Sequence, residues 1–333
     1  MVWNQLAERV IKGEEISDVE ALSILNCPDD DLLQLLHGAF QVRKHFFGTK
    51  VKLNMIMNAK SGNCSENCGY CSQSSISDAP IEKYYMLDRE SLLKGADQAN
   101  KLNVGTYCIV ASGRGPSDRE VDTVVETVKE IKENYNLKVC ACLGILKPEQ
   151  AKRLKDAGVD RYNHNLNTSR EHHESITTSH TFDDRVNTVN MIKEAGISPC
   201  SGVIVGMRET KNDVINMARN AKAIGADSIP VNFLHAIDGT PLEGTKDLNP
   251  RYCLKVLALF RFINPDKEIR ISGGREVNLR SLQPLGLYAA NSIFVGDYLT
   301  TRGAESTADH QMLIDLGFEI DIVQEAVEAS IES

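Results

Sequence analysis

The chain of 333 residues has no long hydrophobic run. Its longest purely aliphatic or aromatic stretch, Val256 to Phe260, is about five residues, against the roughly 20 needed to cross a membrane. No membrane partner is expected. The first residues, Met-Val-Trp-Asn-Gln-Leu-Ala-Glu, turn acidic early and hold no apolar signal core, so a cytosolic, cytoplasmic location is expected. Positive charge is also short. The formal charge is −9, and Lys and Arg are scattered rather than striped, which argues against nucleic acid as a partner. No low-complexity segment, linker or short internal repeat breaks the chain. The acidic run Asp29-Asp30-Asp31 lacks calcium-loop spacing and reads as a helix start, where negative charge suits the dipole.

What is present begins with an apolar fraction of 42%, enough for a sizeable core. Residues 1 to about 47 read as helical. Asp18 to Leu25 follows a plausible cap at Ser17, and Asp29 to Phe47 repeats the apolar spacing of a helix. From Val51 a strand–helix rhythm sets in. Short β-branched, apolar runs fall at Val51–Met57, Val104–Val110, Lys138–Leu143, Val159–Asn165, Pro199–Val205, Asp227–Phe233, Glu268–Ile271 and Asn291–Val295. Amphipathic stretches lie between them, and Gly158, Gly196 and Gly225 follow three helix ends, as C-terminal glycines do. Eight βα units over about 250 residues suit an α/β (β/α)8 TIM-type barrel. The same rhythm would also serve a doubly wound sheet. The expected organisation is a helical extension over residues 1–47, a barrel over 48–320 and a tail over 321–333.

Nine cysteines in a cytosolic chain point to ligands or buried thiols rather than disulfides. Three of them sit in Cys64-Ser-Glu-Asn-Cys68-Gly-Tyr-Cys71, spaced C-x-x-x-C-x-x-C, on a loop leaving the C-terminal end of the first strand. Ligand sites of α/β proteins gather at that end. Clustered thiolates select iron–sulfur clusters, zinc or copper(I). Structural zinc needs a fourth ligand, and no second C-x-x-C or H-x-x-x-H lies nearby. Three ligands suit a [4Fe–4S] cluster with one iron open to substrate. Further thiols fall on strands at Cys108, Cys140 with Cys142, and Cys200, and Arg270 lies on another. Strand alternation points Cys140 and Cys142 the same way, and a barrel would aim the inward members of this set at one another. Asn163, Asn165 and Asn167 are spaced two apart and so share one face of a strand or its extension. Their amides both donate and accept, which suits a urea ring or ribose hydroxyls. His164, His172, His173 and His180 show no metal spacing, and His172 with His173 reads as a solvated loop.

With Tyr70 just before the last cysteine, the thiol motif resembles that of the radical S-adenosylmethionine (SAM) enzymes, in which the open iron chelates SAM. The words YNHNLNTS (Tyr162–Ser169), PCSGVIVGM (Pro199–Met207), VNFLHAIDGTPL (Val231–Leu242) and IRISGGRE (Ile269–Glu276) resemble the biotin synthase family, colinearly from Val51 to about Thr301. The resemblance implies sulfur insertion into dethiobiotin. It implies that Cys64, Cys68 and Cys71 hold the [4Fe–4S] cluster. It implies that Cys108, Cys140, Cys200 and Arg270 hold a second, [2Fe–2S] cluster, with Cys27, Cys142 and Cys253 left as packing thiols. Arg270 is an odd ligand, since a guanidinium carries no free lone pair, and a charge partner beside an anionic cluster is the other reading. By the same resemblance Asn163, Asn165 and Asn232 contact the ureido ring, while Tyr70, Asn165, Asn167 and Arg185 contact SAM. Thr300 and Thr301 hold the substrate's carboxylate tail. Asn167 stands where the family commonly has Asp. A flavodoxin or ferredoxin electron donor, the iron–sulfur assembly machinery and a homodimer are implied as partners.

Overall fold

Local signals set most helix starts. In the computed structural model, which describes residues 2–322, Ser17, Ser117, Thr181 and Thr210 each accept a hydrogen bond from the backbone N–H three residues on. The acidic residue at that third position returns the bond, closing a capping box each time. These boxes open α2 (Asp18–Leu25), α5 (Asp118–Asn134), α7 (Phe182–Glu194) and α8 (Lys211–Ala223). Gly158, Gly196 and Gly225 take φ of 98°, 74° and 68° just past three helices, a conformation that glycine adopts without strain.

The chain opens with α1 (Val2–Ile11), α2 and α3 (Leu32–Phe47), which pack on one another and on the flank formed by α8 and α9 (Pro250–Ile263). Then come the staves. They are β1 (Lys50–Lys60), β2 (Thr106–Ala111), β3 (Lys138–Cys142), β4 (Arg161–Asn163), β5 (Ser198–Cys200) with β6 (Val203–Val205), β7 (Ser228–Phe233), β8 (Glu268–Ile271) and β9 (Ser292–Phe294). All pair in parallel in that order, and β1 pairs with β9, so the sheet closes into the expected barrel. The helices between them include α4 (Arg89–Lys101), α6 (Pro148–Asp156), α10 (Arg275–Asn278) and α11 (Gln283–Gly286), and α12 (Ser306–Asp315) follows the last stave. A last short strand, β10 (Glu319–Ile320), adds to the start of β1. Among the described residues no helix is long and apolar enough to cross a membrane. Of the expected tail, only Asp321 and Ile322 fall within the described residues.

Two staves depart from the sequence pattern. The fifth, read as one strand over Pro199–Val205, breaks between Cys200 and Val203. A Cβ at Gly202 would lie 2.3 Å from the Pro230 carbonyl oxygen, so the chain turns inward here at closer range than any side chain allows. The fourth ends at Asn163 instead of Asn165. Beyond it the chain twists, and Asn167 takes a left-handed φ of 67°, a region in which asparagine is enriched.

Between helices and staves the core is aliphatic, as along Val121, Val124, Val128 and Ile131 of α5. Inside the barrel, at the N-terminal ends of the staves, it is charged. The buried Glu268 pairs with Arg161 at 2.7 Å, Arg270 at 2.6 Å and Lys52 at 3.4 Å, and accepts from Ser228 Oγ at 3.0 Å. Burial alone would push this carboxyl up; Arg270 and Arg161 outweigh it and hold the group well below its ordinary range. This layer supports what lies above it.

Candidate active site

The loop after β1 crosses the C-terminal mouth of the barrel and carries Cys64, Cys68 and Cys71. It is stitched down by its own amides. Gly69 N donates to Ile176 O at 2.9 Å. Asn67 Oδ1 accepts from the Thr178 and Ser179 amides at 3.0 and 3.1 Å and from Thr177 Oγ1 at 2.8 Å. The three thiols line one cavity of about 310 Å3. Burial raises the Cys64 thiol and pushes Cys71 up to about 12, so binding to a metal there means releasing a proton. Among the described residues no three His, Cys, Asp or Glu side chains could hold a single metal ion. A cluster puts each thiol on its own iron and needs no such convergence. The donor set therefore fits a cluster, with three soft thiols and no fourth on the loop.

The second set lies deeper. Cys108 and Cys140 are register partners across β2 and β3, and Cys200 is the partner of Asn163 across β5 and β4. All three are buried, and Cys140 makes side-chain contact with both of the others. Arg270 rises toward them from the charged layer. Its Nε donates to Ser292 Oγ at 3.2 Å and its Nη2 to Ser228 Oγ at 3.0 Å, while the guanidinium sits 4.9 Å from the Phe294 ring centroid. Burial opposes its charge, but Glu268, Cys200 and Cys108 raise it above its ordinary value and keep it a cation. Three thiols facing a fixed positive charge suit an anionic iron–sulfur unit.

Asn163, Asn165 and Asn167 line the thiol-rimmed cavity together with Arg185 and Asn232. Asn163 Nδ2 donates to Asn165 Oδ1 at 3.0 Å and to Cys200 Sγ at 3.2 Å. Asn165 Oδ1 also accepts from Gly202 N at 2.8 Å, and Asn167 Nδ2 donates to the Tyr70 hydroxyl at 2.6 Å. Asn232 is held by Gly273 N, which donates to its Oδ1 at 2.9 Å. His164 lines the same space, and its buried Nε2 finds no partner among the described residues, which fits a polar ligand in the cavity. A second cavity of about 220 Å3 adjoins it through Tyr70, Cys71, Ile204 and Asn232. Its walls include Ile56, Phe294 and Leu299, and Thr300 and Thr301 line it as well. Ser72 and Thr300 hydroxyls meet at 2.8 Å.

Two local expectations change, and one pair of residues enters that the sequence did not single out. His172 and His173 do not form a solvated loop. His173 is buried, with its ring 5.9 Å from that of Phe182, and His172 bonds to the Met207 carbonyl. Cys142 does not pack away in the core. It lines the cavity, and its thiol donates to Asn163 Oδ1 at 3.4 Å. Glu66 and His180, singled out by no spacing, lie on the cavity wall and touch each other. An acid set between two cysteines of the thiol motif was the available signal.

Residues 59–221 match the Radical SAM superfamily, and residues 230–319 match the Biotin and Thiamin Synthesis associated domain. Biotin synthase of Bacillus subtilis is 75% identical over 323 residues, covering 97% of this chain and 96% of that protein. Biotin synthase of Anoxybacillus flavithermus is 76% identical over 321 residues, covering 96% and 98%. Among solved structures, methylornithine synthase superposes with a TM-score of 0.84 at 21% identity over 95% of this chain and 97% of that one. The hydrogenase maturase of Carboxydothermus hydrogenoformans gives 0.79 at 20% identity over 96% and 79%. At such identity these two speak for the fold alone. Identity of 75% over nearly the whole length is of another order, and with a thiol loop at the mouth of a closed barrel it means that this chain belongs to the biotin synthase family of radical SAM enzymes.

Proposed function

We propose that this chain converts dethiobiotin to biotin by inserting one sulfur between a methyl and a methylene carbon. Those C–H bonds are unactivated, and no side-chain acid or base removes such protons. When bound, the [4Fe–4S] cluster supplies the electron that cleaves SAM to a hydrogen-abstracting 5′-deoxyadenosyl radical, and the [2Fe–2S] cluster supplies the sulfur.

The chain's own residues bind, orient and shield. Cys64, Cys68 and Cys71 hold the first cluster; Cys108, Cys140, Cys200 and Arg270 hold the second. Asn163, Asn165 and Asn232 grip the ureido ring with amides that donate and accept without adding charge. Arg185 meets the SAM carboxylate, and Tyr70, Asn165 and Asn167 take its ribose side. Thr300 and Thr301 receive the substrate's carboxylate tail. The barrel keeps water and stray hydrogen donors away from the radical. The observation that carries this reading is Asn163, whose amide bonds both to Asn165 in the cavity wall and to the buried Cys200 thiol. A substrate held by that amide lies between the two thiol sets. The barrel over residues 48–320 does this work, with the helices of 1–47 as an extension. Working partners are a flavodoxin- or ferredoxin-type donor and the iron–sulfur assembly machinery, and the enzyme acts as a cytoplasmic homodimer.

The test is anaerobic. Iron and sulfide are reconstituted, SAM, dethiobiotin and a reductant are added, and both products are followed by mass spectrometry. Biotin is expected with roughly two deoxyadenosines each, because two C–H bonds break. Cys64→Ala, Cys68→Ala or Cys71→Ala should abolish SAM cleavage. Cys140→Ala or Cys200→Ala should remove the second cluster's spectrum and leave some cleavage. An unchanged second spectrum in both would refute the deep ligand set.

A further inference from the structure

A buried chain of hydrogen bonds runs from the thiol loop to Arg185, through two residues that have no part in the roles above. Glu66 stands between Cys64 and Cys68 in sequence and is only 7% exposed. Its Oε1 accepts from Arg114 Nη1 at 3.1 Å. Its Oε2 is bonded to Ser179 Oγ and to His180 Nδ1. On the far side of the imidazole, Arg185 Nε donates to His180 Nε2 at 2.7 Å.

The direction of these bonds is forced. A guanidinium nitrogen only donates, so His180 Nε2 must accept. The ring is then neutral, and its one proton sits on Nδ1, aimed at the Glu66 carboxylate. Burial and the neighbouring Arg185 hold His180 below its ordinary pKa, in keeping with a neutral ring. Arg185 Nη1 in turn donates to the Asn165 carbonyl at 2.7 Å. The guanidinium is pinned at two points, its Nη2 has no hydrogen-bond partner among the described residues, and Arg185 lines the cavity.

We infer that Glu66 and His180 are positioning residues that aim Arg185 at the carboxylate of SAM and lock that aim to the loop bearing the [4Fe–4S] ligands. The inference rests on the reading of Arg185 as the SAM carboxylate contact. Arginine has a long stem and a planar fork, so a bidentate grip needs its plane fixed in advance. The carboxylate selects the tautomer, the tautomer offers a lone pair to Nε, and the lone pair sets the plane. Carboxylate–histidine pairs orient metal ligands by the same logic. Here the oriented group is an arginine, and the carboxylate belongs to the cluster loop itself, so the loop and the SAM grip move together.

The experiment uses the full chain, reconstituted anaerobically, with equilibrium binding of SAM measured beside iron content and cluster absorbance. His180→Phe removes both ring bonds. It should keep the first cluster and weaken SAM binding roughly tenfold or more, with KM for SAM raised and kcat largely kept. His180→Gln retains one donor and one acceptor and should recover most of the affinity. Because His180 acts through Arg185, the pair His180→Phe with Arg185→Ala should bind no more weakly than Arg185→Ala alone. Additive losses would overturn the inference. Unchanged SAM affinity in Arg185→Ala would bring down the reading of Arg185 itself. Weakened binding in Arg185→Ala with unchanged binding in His180→Phe would bring down the positioning inference alone. Should His180→Phe fail to load, Glu66→Gln, which keeps the shape and loses the charge, replaces it, and unchanged SAM affinity there would overturn the inference. Loss of the cluster in His180→Phe, His180→Gln and Glu66→Gln alike would also overturn it, since the network would then serve only the fold of the loop.

Discussion

Asn167 stands where the family resemblance implies Asp, and the structure gives that exchange a physical content. Its left-handed φ of 67° suits Asn and Asp equally, so the exchange costs the backbone little. What changes is charge. Asn167 Nδ2 donates to the Tyr70 hydroxyl, whereas an Asp would accept from it and, in the role proposed for this residue, would present a carboxylate to the ribose hydroxyls of SAM. Hydrogen bonds to an ionised acceptor are about twice as strong as neutral ones, so Asn167→Asp should tighten SAM binding, by about fivefold if close to 1 kcal/mol is gained. Equilibrium binding to the cluster-loaded protein measures it, and equal or weaker binding would show that the amide already satisfies the site. The thiols and the three asparagines were legible in the sequence because their chemistry and spacing are local. Glu66 and His180 were not, because an ordinary acid and an ordinary histidine 114 residues apart acquire meaning only when folding brings them together.

Among the elements, helices were read closely and strands less so. Caps and C-terminal glycines lie within a few residues of what they control, so α2, α5, α7 and α8 begin within a residue or so of their signals. A strand's limits depend on neighbours far along the chain. The break between β5 and β6 follows from the close approach of Gly202 to Pro230 on β7, which no pattern within Pro199–Val205 reveals. The charged layer under the deep thiols is likewise a property of strands acting together. Glu268 on β8 joins Arg161 on β4, Arg270 on its own strand and Lys52 on β1. Removing one member of a buried pair leaves the other charged and dry, at a cost of roughly 3–5 kcal/mol. Glu268→Gln should therefore lower apo-protein stability by about that much, read as a shift in denaturant midpoint at unchanged slope. It should also disturb loading of the second cluster by freeing Arg270. A midpoint within about 0.5 kcal/mol of the wild type would show that water or local shifts relieve the pair.

For the whole molecule, Arg43 holds the helical extension to the barrel seam. It is fully buried in α3 and has no carboxylate partner among the described residues. Its donors reach the carbonyls of Gly48 at 2.5 Å, Lys50 at 3.0 Å and Ala290 at 3.0 Å, and its guanidinium lies 4.4 Å from the Phe318 ring centroid. One side chain thus gathers the end of α3, the start of β1, the approach to β9 and the C-terminal segment. Burial brings it down to about 10, which still leaves it charged at neutral pH. Arg43→Met keeps the apolar stem and orphans three carbonyls, at about 1 kcal/mol or more apiece. A fall in Tm of roughly 5 °C or more is expected by calorimetry, and a smaller one would mean that the extension is held by its apolar face instead. By itself the sequence determined the alternation of eight strands with helices and the chemistry of the thiols and amides, which keep their character wherever they stand. That rhythm serves a barrel or a doubly wound sheet alike, and the pairing of β1 with β9 in the folded chain makes it a barrel. Only the tertiary structure decided which residues act on one another: that Asn163 touches Cys200, that Glu268 underlies Arg270, that His180 faces Arg185. Such pairings depend on barrel closure and loop placement, which sum many weak contacts across the chain, and no short window of sequence contains them.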